Sequence, residues 1–367
     1  MHVLLVRLRL LGDVVFTTPA IRALRRRYPS ARLTYLVERH AAAVVQGNPH
    51  LDEVIIAERP RGMARLAADV ALAARLRRGR PDIAIDFHGG PRAGWLTWAS
   101  GAPRRIGYAV AGRSWLYTDV MARPRELRPR HSVENQWDLL TRLDPAFDQP
   151  PDPAADAVEM TEDPVAAANM AARLAAARIE ADATLIVVHV TAGNPFRRWP
   201  GEAFSDLLAA LAAAAPSRRI ILSFGPEEVG AADAIAGAAR VRLGAAGGRI
   251  VAFGQLSIAE LRALVVRATL FVGGDTGPLH VAATTATPIV GLYGPTLAER
   301  SAPWRDPALV TEAVDPGALW CRPCNQRRCV PGDFRCLAGI APGAVAAACE
   351  RALERARRHE AGTRHPV

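Results

Sequence analysis

The stretch FVGGDTGPLHVAA, residues 271–283, contains the strand-to-helix transition that decides the fold. Its apolar start is typical of a buried strand, the glycines and Asp275 indicate a turn, and Pro278 suits the first turn of a helix. The N–H groups that begin a helix have no intrahelical acceptors, and His280 would lie within reach of an anion bound there. The stretch therefore predicts an anion site, although Asp-Thr-Gly can also simply cap a helix.

The same alternation of strand and helix extends along the chain in both directions. Single helices, such as residues 19–28 and 63–78, separate most of the predicted strands, which implies parallel sheets with helices on both faces. The predicted strands are residues 3–7, 33–37, 54–56, 82–86, 185–189, 219–224, 250–253, 270–273 and 289–293. The fold class that follows is α/β.

A passage rich in proline and aspartate, residues 144–164, interrupts this rhythm and reads as an interdomain linker. We therefore expect an N-terminal Rossmann-like domain over residues 1–160, a C-terminal one over 161–345, and a helix and tail over 346–367. Ligands of parallel sheets bind outside the carboxyl ends of the strands, so two such domains would face a central cleft. The arginine-rich last helix, residues 342–359, could cap the second domain or cross back to the first.

Composition describes a globular protein of 367 residues, 50% hydrophobic and 22% charged, with a formal net charge of +10. The sequence contains no lysine, so all 46 basic residues are arginine. Arginine and alanine in such excess are typical of GC-rich coding, which weakens the charge as a sign of nucleic-acid binding. The arginines are also spread along the chain rather than clustered with aromatic residues, and an anionic lipid surface or substrate explains them equally well.

No apolar run reaches the roughly 20 residues that a membrane span needs. Arg7, Arg9 and Asp13 interrupt the apolar start, which is unlike a signal peptide, and a cytoplasmic location is expected. Four of five cysteines fall at Cys321, Cys324, Cys329 and Cys336. This spacing could hold a structural zinc ion or an iron–sulfur cluster, while free or redox-labile thiols are the alternative and a cytosolic disulfide framework is disfavoured.

The first predicted strand leads into Arg9-Leu-Leu-Gly12-Asp13, which is not the G-x-G-x-x-G turn of a dinucleotide-binding domain. A dehydrogenase is therefore disfavoured. Asp13 sits where a strand gives way to a helix, and it could be either a helix N-cap or a catalytic base.

A second phosphate signal is TAGNPFRRWP, residues 191–200, directly after a predicted strand. Glycine and threonine at a strand end followed by paired arginines suit phosphate oxygens, because the guanidinium fork can contact two of them at once. Together with the 271–283 stretch, this segment favours a diphosphate ligand. Glu227 could bind ribose hydroxyls, or it could be an ordinary first-turn glutamate.

Four motifs together resemble a known family, the ADP-heptose:lipopolysaccharide heptosyltransferases of glycosyltransferase family 9. They are VLLVRLRLLGDVVFTTPAIRAL at 3–24, NPFRRWP at 194–200, GGDTGPLHVAA at 273–283 and VGLYGPT at 290–296. The resemblance implies a GT-B fold with an N-terminal acceptor domain and a C-terminal domain for the nucleotide sugar. It also implies inverting, metal-independent transfer of a heptose from an ADP-sugar to a lipopolysaccharide core or related glycan, with no cofactor needed for catalysis.

The resemblance assigns roles by position, with Arg197 falling where the family usually has a lysine. It matches Asp13 to the catalytic base and the following residues to the donor site: Thr191, Arg197, Glu227, Asp275, Thr276, Gly277 and His280. Donor phosphates would meet Arg197 and the helix start after Asp275, which would stabilise the departing ADP in place of a metal ion.

Acceptors in this family are anionic glycolipids, so Arg92 and Arg104 are candidate acceptor contacts, with solvated surface arginines as the alternative. The expected partners are thus ADP-heptose, an anionic glycolipid and peripherally the cytoplasmic face of the inner membrane, without nucleic acid. A transferase using another nucleotide sugar and a nucleotide-sugar epimerase of the same fold are the competing functions.

Overall fold

The computed structural model of the chain describes residues 1–122, 130–180, 182–225 and 227–363, with side chains up to residue 359. The chain divides into two compact units, Met1–Thr161 and Glu162–Val367. Each unit contains one six-stranded sheet in which every strand pair is parallel.

The first unit alternates strands and helices around its sheet. Its elements are β1 His2–Val6, α1 Leu11–Val15, α2 Thr18–Arg27, β2 Arg32–Glu38, β3 Glu53–Ala57, α3 Ala64–Arg78, β4 Ile83–Asp86, α4 Pro91–Ala99, β5 Arg104–Tyr108, β6 Asp119–Met121 and α5 Ser132–Thr141. The strand order across the sheet is β3-β2-β1-β4-β5-β6.

The second unit repeats the pattern with its own core. Its elements are α6 Pro164–Ala176, β7 Thr184–His189, α7 Gly201–Ala213, β8 Arg218–Ser223, α8 Val229–Leu243, β9 Ile250–Ala252, α9 Ile258–Val266, β10 Leu270–Gly274, α10 Gly277–Ala282, β11 Ile289–Leu292, α11 Ala298–Ser301, β12 Thr311–Val314, α12 Arg335–Ala338 and α13 Pro342–Thr363. The strand order is β12-β11-β10-β7-β8-β9.

The strand order reverses once in each sheet, between β1 and β4 in the first unit and between β7 and β10 in the second. At such a reversal the neighbouring connections leave the sheet on opposite sides, which opens a crevice at the carboxyl ends of the strands. The segments that follow β1, β4, β7 and β10 are therefore the places where this fold puts a binding site.

All nine predicted strands are confirmed, each within one residue at either end. The sequence interpretation missed β5, β6 and β12, because these strands are short or carry arginine, aspartate or glutamate instead of an apolar run. The strand was expected to give way to a helix at Asp13, and the helix begins two residues earlier, since both Gly12 and Asp13 lie inside α1.

The linker expected at residues 144–164 is wrong for most of its length, because this segment packs onto the first unit. Val158 and Met160 are buried, and the Glu159 carboxylate accepts from Arg22 Nε at 2.9 Å. Proline and aspartate are typical of linkers, but here the acidic side chains are ion-pair partners for arginines of α2.

The last helix, α13, packs against the core of the second unit, as the cap interpretation predicted. Val345, Ala348, Cys349 and other apolar residues of α13 belong to the core of that unit. At its rim, Arg218 donates to both carboxylate oxygens of Glu350, each at 2.6 Å. Among the described residues, no helix is both long enough and apolar enough to cross a lipid bilayer.

Candidate active site

In the first unit, Asp13 lies in α1, directly beyond the carboxyl end of β1. The interpretation of Asp13 as an N-cap is wrong, because the cap position is Leu10 and no side chain bonds there. The Asp13 carboxylate is instead ion-paired through Oδ2 with the guanidinium of Arg7, the residue that follows β1. Gln136 of α5 donates to the backbone carbonyl of Asp13 at 3.2 Å. The carboxylate is thereby held in one orientation while 30% of its side chain stays accessible.

Arg7 is itself fixed from the neighbouring strand, because it donates to the carbonyl of Phe87, just after β4. The preceding residue, Asp86, is fully buried and accepts from the Tyr117 hydroxyl at 2.6 Å and from the backbone N–H groups of His88 and Gly89. Burial raises the pKa of Asp86, although these donors and the charge of Arg7 oppose that shift. A buried carboxylate thus shapes the turn after β4 that holds Arg7 and, through it, Asp13.

Beside this turn lies a cavity of about 180 Å³ whose charged lining is mostly arginine. Its polar lining residues are Arg9, Glu38, Arg59, Arg65, His88 and Arg92. Of the arginines, Arg59 lies 3.8 Å from Glu38, whereas Arg9 and Arg65 have no carboxylate partner among the described residues. The cavity can therefore accept a small anionic group.

The two predicted acceptor arginines occupy different surroundings. Arg92 lines the cavity, but its guanidinium is already bonded to Glu38 at 2.8 Å, to Asp69 at 2.6 Å and to the carbonyl of Glu58. Arg104 is the first residue of β5 and pairs in register with Ile83 at the start of β4. The structure therefore does not favour Arg104 as an acceptor contact, because it lies at the amino ends of the strands, where it donates to the carbonyls of Arg142 and Leu143.

In the second unit, Asp275 directly follows β10, at the edge of the sheet formed by the carboxyl ends of the strands. Several polar side chains surround its carboxylate. It is only 3% exposed and lies 3.4 Å from His280 Nε2 and 3.3 Å from Arg197 Nη1, and it accepts from the hydroxyl of Thr296. Burial pushes the pKa of Asp275 upward, but the hydrogen bond from His280, the charges of Arg197 and His280, and the Thr296 hydroxyl outweigh it and bring the pKa to about 2. The carboxylate is therefore ionised at neutral pH.

Arg197 ends a 3₁₀ turn, Pro195–Arg197, that follows β7. Its Nη1 also donates to the backbone carbonyl of Asp275 at 2.6 Å, and its Nε donates to the side-chain oxygen of Gln326 at 2.8 Å. The guanidinium is thus held on two sides, with 28% of the side chain accessible. The structure brings together three of the residues predicted for the donor site: Arg197, Asp275 and His280.

The remaining predicted donor residues lie on the same edge with fewer contacts. Thr191 follows β7 and accepts from the N–H of Gly225 at 3.0 Å. Thr276 is the N-cap of α10 but makes no side-chain capping bond, so the interpretation of this turn as a simple cap is wrong. Gly277 begins α10, and Glu227 is exposed just beyond β8.

The four clustered cysteines are half-buried free thiols in the segment between β12 and α13. Burial raises the pKa of Cys336, and the charges of Cys321, Cys329 and Cys324 raise it further, so the four groups are close enough to act on one another. However, no three His, Cys, Asp or Glu residues in the described ranges are grouped as a metal site. The metal site predicted from the spacing therefore stays a prediction, beside the alternative of free thiols.

Sequence reasoning missed four residues that hold these sites in place: Arg7, Asp86, Thr296 and Gln326. Arg7 and Thr296 lie inside the quoted motifs, at RLRLLGD and VGLYGPT, where a polar side chain just after an apolar strand could have signalled a role. Asp86 ends an apolar strand, which is also a readable signal. Gln326 lies within the cysteine segment, and only the tertiary structure relates it to Arg197.

Known proteins share this sequence pattern and this architecture. The family model for glycosyltransferase family 9 (heptosyltransferase) matches residues 70–333. Lipopolysaccharide heptosyltransferase 3 of Escherichia coli is 25% identical over 293 residues, which cover 79% of this chain and 82% of that protein.

Two solved structures have the same fold. A family 9 glycosyltransferase from Veillonella parvula superposes with a TM-score of 0.81 at 20% identity, covering 96% of this chain and 97% of that one. The E. coli ADP-heptose lps heptosyltransferase II gives a TM-score of 0.76 at 19% identity, covering 97% and 100%. The fold is that of the GT-B transferases, and the protein is a glycosyltransferase that belongs to family 9, the heptosyltransferase family.

Proposed function

We propose that this chain is an inverting, metal-independent transferase that moves a heptose from an ADP-sugar to an anionic lipopolysaccharide core or related glycan. The observation that carries the proposal is the cluster at the carboxyl edge of the second sheet, where Arg197 and His280 are held around the buried Asp275. Two relatives are named as a lipopolysaccharide heptosyltransferase and an ADP-heptose lps heptosyltransferase, which supports this choice of donor and acceptor. The acceptor role falls to residues 1–160 and the donor role to residues 161–345, with the last helix and tail at 346–367.

In this proposal Asp13 is the general base. Attack by an acceptor hydroxyl requires removal of its proton as the new bond to the anomeric carbon develops, and a positioned carboxylate can accept that proton. Arg7 binds Oδ2, while Oδ1 has no bonding partner among the described residues and is available to the acceptor. A single displacement assisted by one carboxylate inverts the configuration at the anomeric carbon.

The departing ADP gains negative charge, which Arg197 and His280 stabilise. Because the Asp275 carboxylate and the Gln326 amide already orient these groups, little reorganisation is needed as charge develops. Thr191 and the start of α10 at Thr276 and Gly277 complete the phosphate site, and Glu227 reaches ribose hydroxyls from the end of β8.

For the acceptor, the arginine-lined cavity of the first unit takes a carboxylate or phosphate group. Arg9 and Arg65 contact the anion, since neither has a carboxylate partner in the described part of the chain. Arg92 acts indirectly, because its bonds to Glu38 and Asp69 hold the cavity wall in place.

The acceptor is a glycolipid, and helix α3 supports a peripheral contact with the cytoplasmic face of the inner membrane. Met63, Leu66 and Val70 are 84%, 63% and 55% exposed, at helical spacing on the side away from the core residue Leu76. The segment from Arg59 to Arg80 contains seven arginines against one acidic residue. An apolar stripe beside this many cations suits an anionic bilayer surface.

The neighbouring helix, α4, also carries exposed aromatic surface. Helices α3 and α4 contact each other. Trp98 of α4 and Trp115 are 45% and 66% exposed and pack edge to face with ring centroids 6.0 Å apart. Exposed tryptophans are favoured where a protein meets the lipid headgroups.

We also propose that four cysteines bind a structural zinc ion or iron–sulfur cluster: Cys321, Cys324, Cys329 and Cys336. Mutual proximity of the four thiols supports it. Such a group would cross-link the segment between β12 and α13, and no step of sugar transfer runs through it.

Replacing Asp13 by Asn tests the base. Transfer should fall on the order of 10²- to 10⁴-fold, the usual contribution of a positioned general base. Stability should change by about 1 kcal/mol or less, since the pair with Arg7 is partly exposed. The control is Asp52→Asn, which breaks a comparable arginine pair with Arg25 ahead of β3 and should keep full activity. A folded Asp13→Asn variant that transfers heptose within about threefold of the parent rate would contradict the assignment.

Replacing Arg197 by Ala tests the donor site. A charge-assisted phosphate contact contributes about 1.5–3 kcal/mol, so calorimetry should show markedly weaker ADP binding. Turnover should fall further than affinity, because the leaving group gains charge in the transition state. The matched control is Arg198→Ala, since that neighbouring side chain bonds to Ala192 and Glu228 instead. If Arg198→Ala loses ADP and Arg197→Ala does not, the roles are the reverse of those proposed.

Elemental analysis of protein purified without chelators tests the metal. We expect about one zinc ion or one iron–sulfur cluster per chain, lost in Cys329→Ser. Cys349→Ala is the control, because that thiol is buried in α13 away from the cluster and should leave metal content unchanged. Less than about a tenth of an equivalent of either metal would rule the site out.

Vesicle sedimentation tests the membrane surface. The parent should bind vesicles containing phosphatidylglycerol, bind less at high salt, and bind poorly to neutral phosphatidylcholine. The double variant Leu66→Glu/Val70→Glu should lose this binding yet keep activity on a deacylated acceptor. Val241→Glu is the control, since Val241 is 83% exposed between two arginines of α8. Equal binding by the double variant and the control would exclude α3 as the contact.

A further inference from the structure

The cysteine segment reaches the donor site through one side chain, that of Gln326. Its Oε1 accepts from Arg197 Nε and from Asn194 Nδ2, both at 2.8 Å. Neither residue is a sequence neighbour, since more than 120 positions separate them from Gln326. We propose that Gln326 is a positioning residue that aims the Arg197 guanidinium at the donor diphosphate; this rests on the proposed function of Arg197.

The contact with Gln326 matters because it helps to fix the orientation of the Arg197 guanidinium. Nη1 is bonded to the carbonyl of Asp275 and Nε to Gln326, whereas Nη2 has no protein acceptor in the described ranges. Two bonds on different nitrogens fix the plane of the guanidinium, so the remaining nitrogen points in one direction. An arginine side chain ordered before the ligand arrives loses less conformational freedom on binding, which raises affinity.

Gln326 is held in place by its own segment. Its backbone is left-handed, with φ of 57°, and its N–H donates to Cys324 Sγ at 3.3 Å. The N–H of Cys324 in turn donates to the carbonyl of Pro295 at 2.9 Å. The side chain of Arg322 adds a bond to the carbonyl of Thr296 at 3.0 Å. The segment is thus fastened to the chain that leaves β11.

Thr296, to which the cysteine segment is fastened, also contacts the donor site, because its hydroxyl donates to the Asp275 carboxylate. The cysteine segment therefore supports both members of the Arg197–Asp275 pair, one through Gln326 and the other through Thr296. Cys324 contributes to this arrangement through its sulfur, which accepts from the N–H of Gln326 and so helps to hold the turn that presents the Gln326 side chain.

The test is a double-mutant cycle on ADP affinity, measured by calorimetry with Gln326→Met, Arg197→Ala and the two combined. Methionine keeps the length of the side chain but removes the acceptor for Arg197. We expect Gln326→Met alone to weaken ADP binding by roughly tenfold, and to add nothing in the Arg197→Ala background. Asn325→Ala is the control, because the exposed Asn325 side chain bonds only within its own loop and should leave affinity unchanged.

A second variant, Gln326→Glu, gives a readout that a purely structural role would not change. The new carboxylate keeps the acceptor but competes with the diphosphate for the charge of Arg197. ADP binding should therefore weaken at neutral pH although the bond to Arg197 is kept, whereas adenosine, which has no phosphate, should bind as it does to the parent. This variant keeps the bond to Arg197 and serves as the test if Gln326→Met does not fold.

Three results would overturn the inference. Unchanged ADP affinity in Gln326→Met, or an equal loss with and without Arg197, would show that Gln326 does not act through that arginine. An equal loss of adenosine and ADP affinity in Gln326→Glu would show the same. Unchanged affinity in Arg197→Ala would instead refute the donor assignment itself, and with it any positioning role for Gln326.

Discussion

The second unit is organised around one buried negative charge, the carboxylate of Asp275. An unpaired carboxylate at 3% exposure would be strongly unfavourable, so the chain has to bring cations and donors to it. Arg197, His280 and Thr296 arrive from three separate segments and together lower its pKa to about 2. Since this value lies below the ordinary one, the stabilisation is complete above the ordinary pKa and is lost as pH falls toward 2. The same pairing leaves Arg197 and His280 fixed at the edge where a diphosphate would bind.

The parallel sheets explain why these residues meet. In each unit the strand order reverses once, and the polar segments follow the strands on either side of that reversal. The first unit places a carboxylate held by Arg7 there, whereas the second places the guanidinium of Arg197 beside a buried carboxylate. In the proposed function, the first of these charges would serve proton removal and the second would stabilise the leaving group.

Local sequence patterns predicted the parts of the fold that depend on local physics. Short apolar runs located nine strands, and the Asp275 and Arg197 motifs located the carboxyl edge of the second sheet. The patterns failed where tertiary contacts decide. Residues 144–164 have the composition of a linker, but their acidic side chains are ion-paired to arginines of α2. Arg104 was placed near the binding edge because β5 was not recognised as a strand, whereas it begins that strand at the opposite edge of the sheet. No local sequence pattern predicts the hydrogen bond that Arg197 donates to Gln326, because it joins segments far apart in the chain.

The stereochemistry of the transferred sugar tests the account most directly. ADP-heptose and a deacylated lipopolysaccharide acceptor would be incubated with the protein, and the anomeric configuration of the product determined by NMR. The proposed single displacement at the anomeric carbon predicts a product with the anomeric configuration opposite to that of the donor. Retention of configuration, or an epimerised nucleotide sugar formed without acceptor, would contradict it.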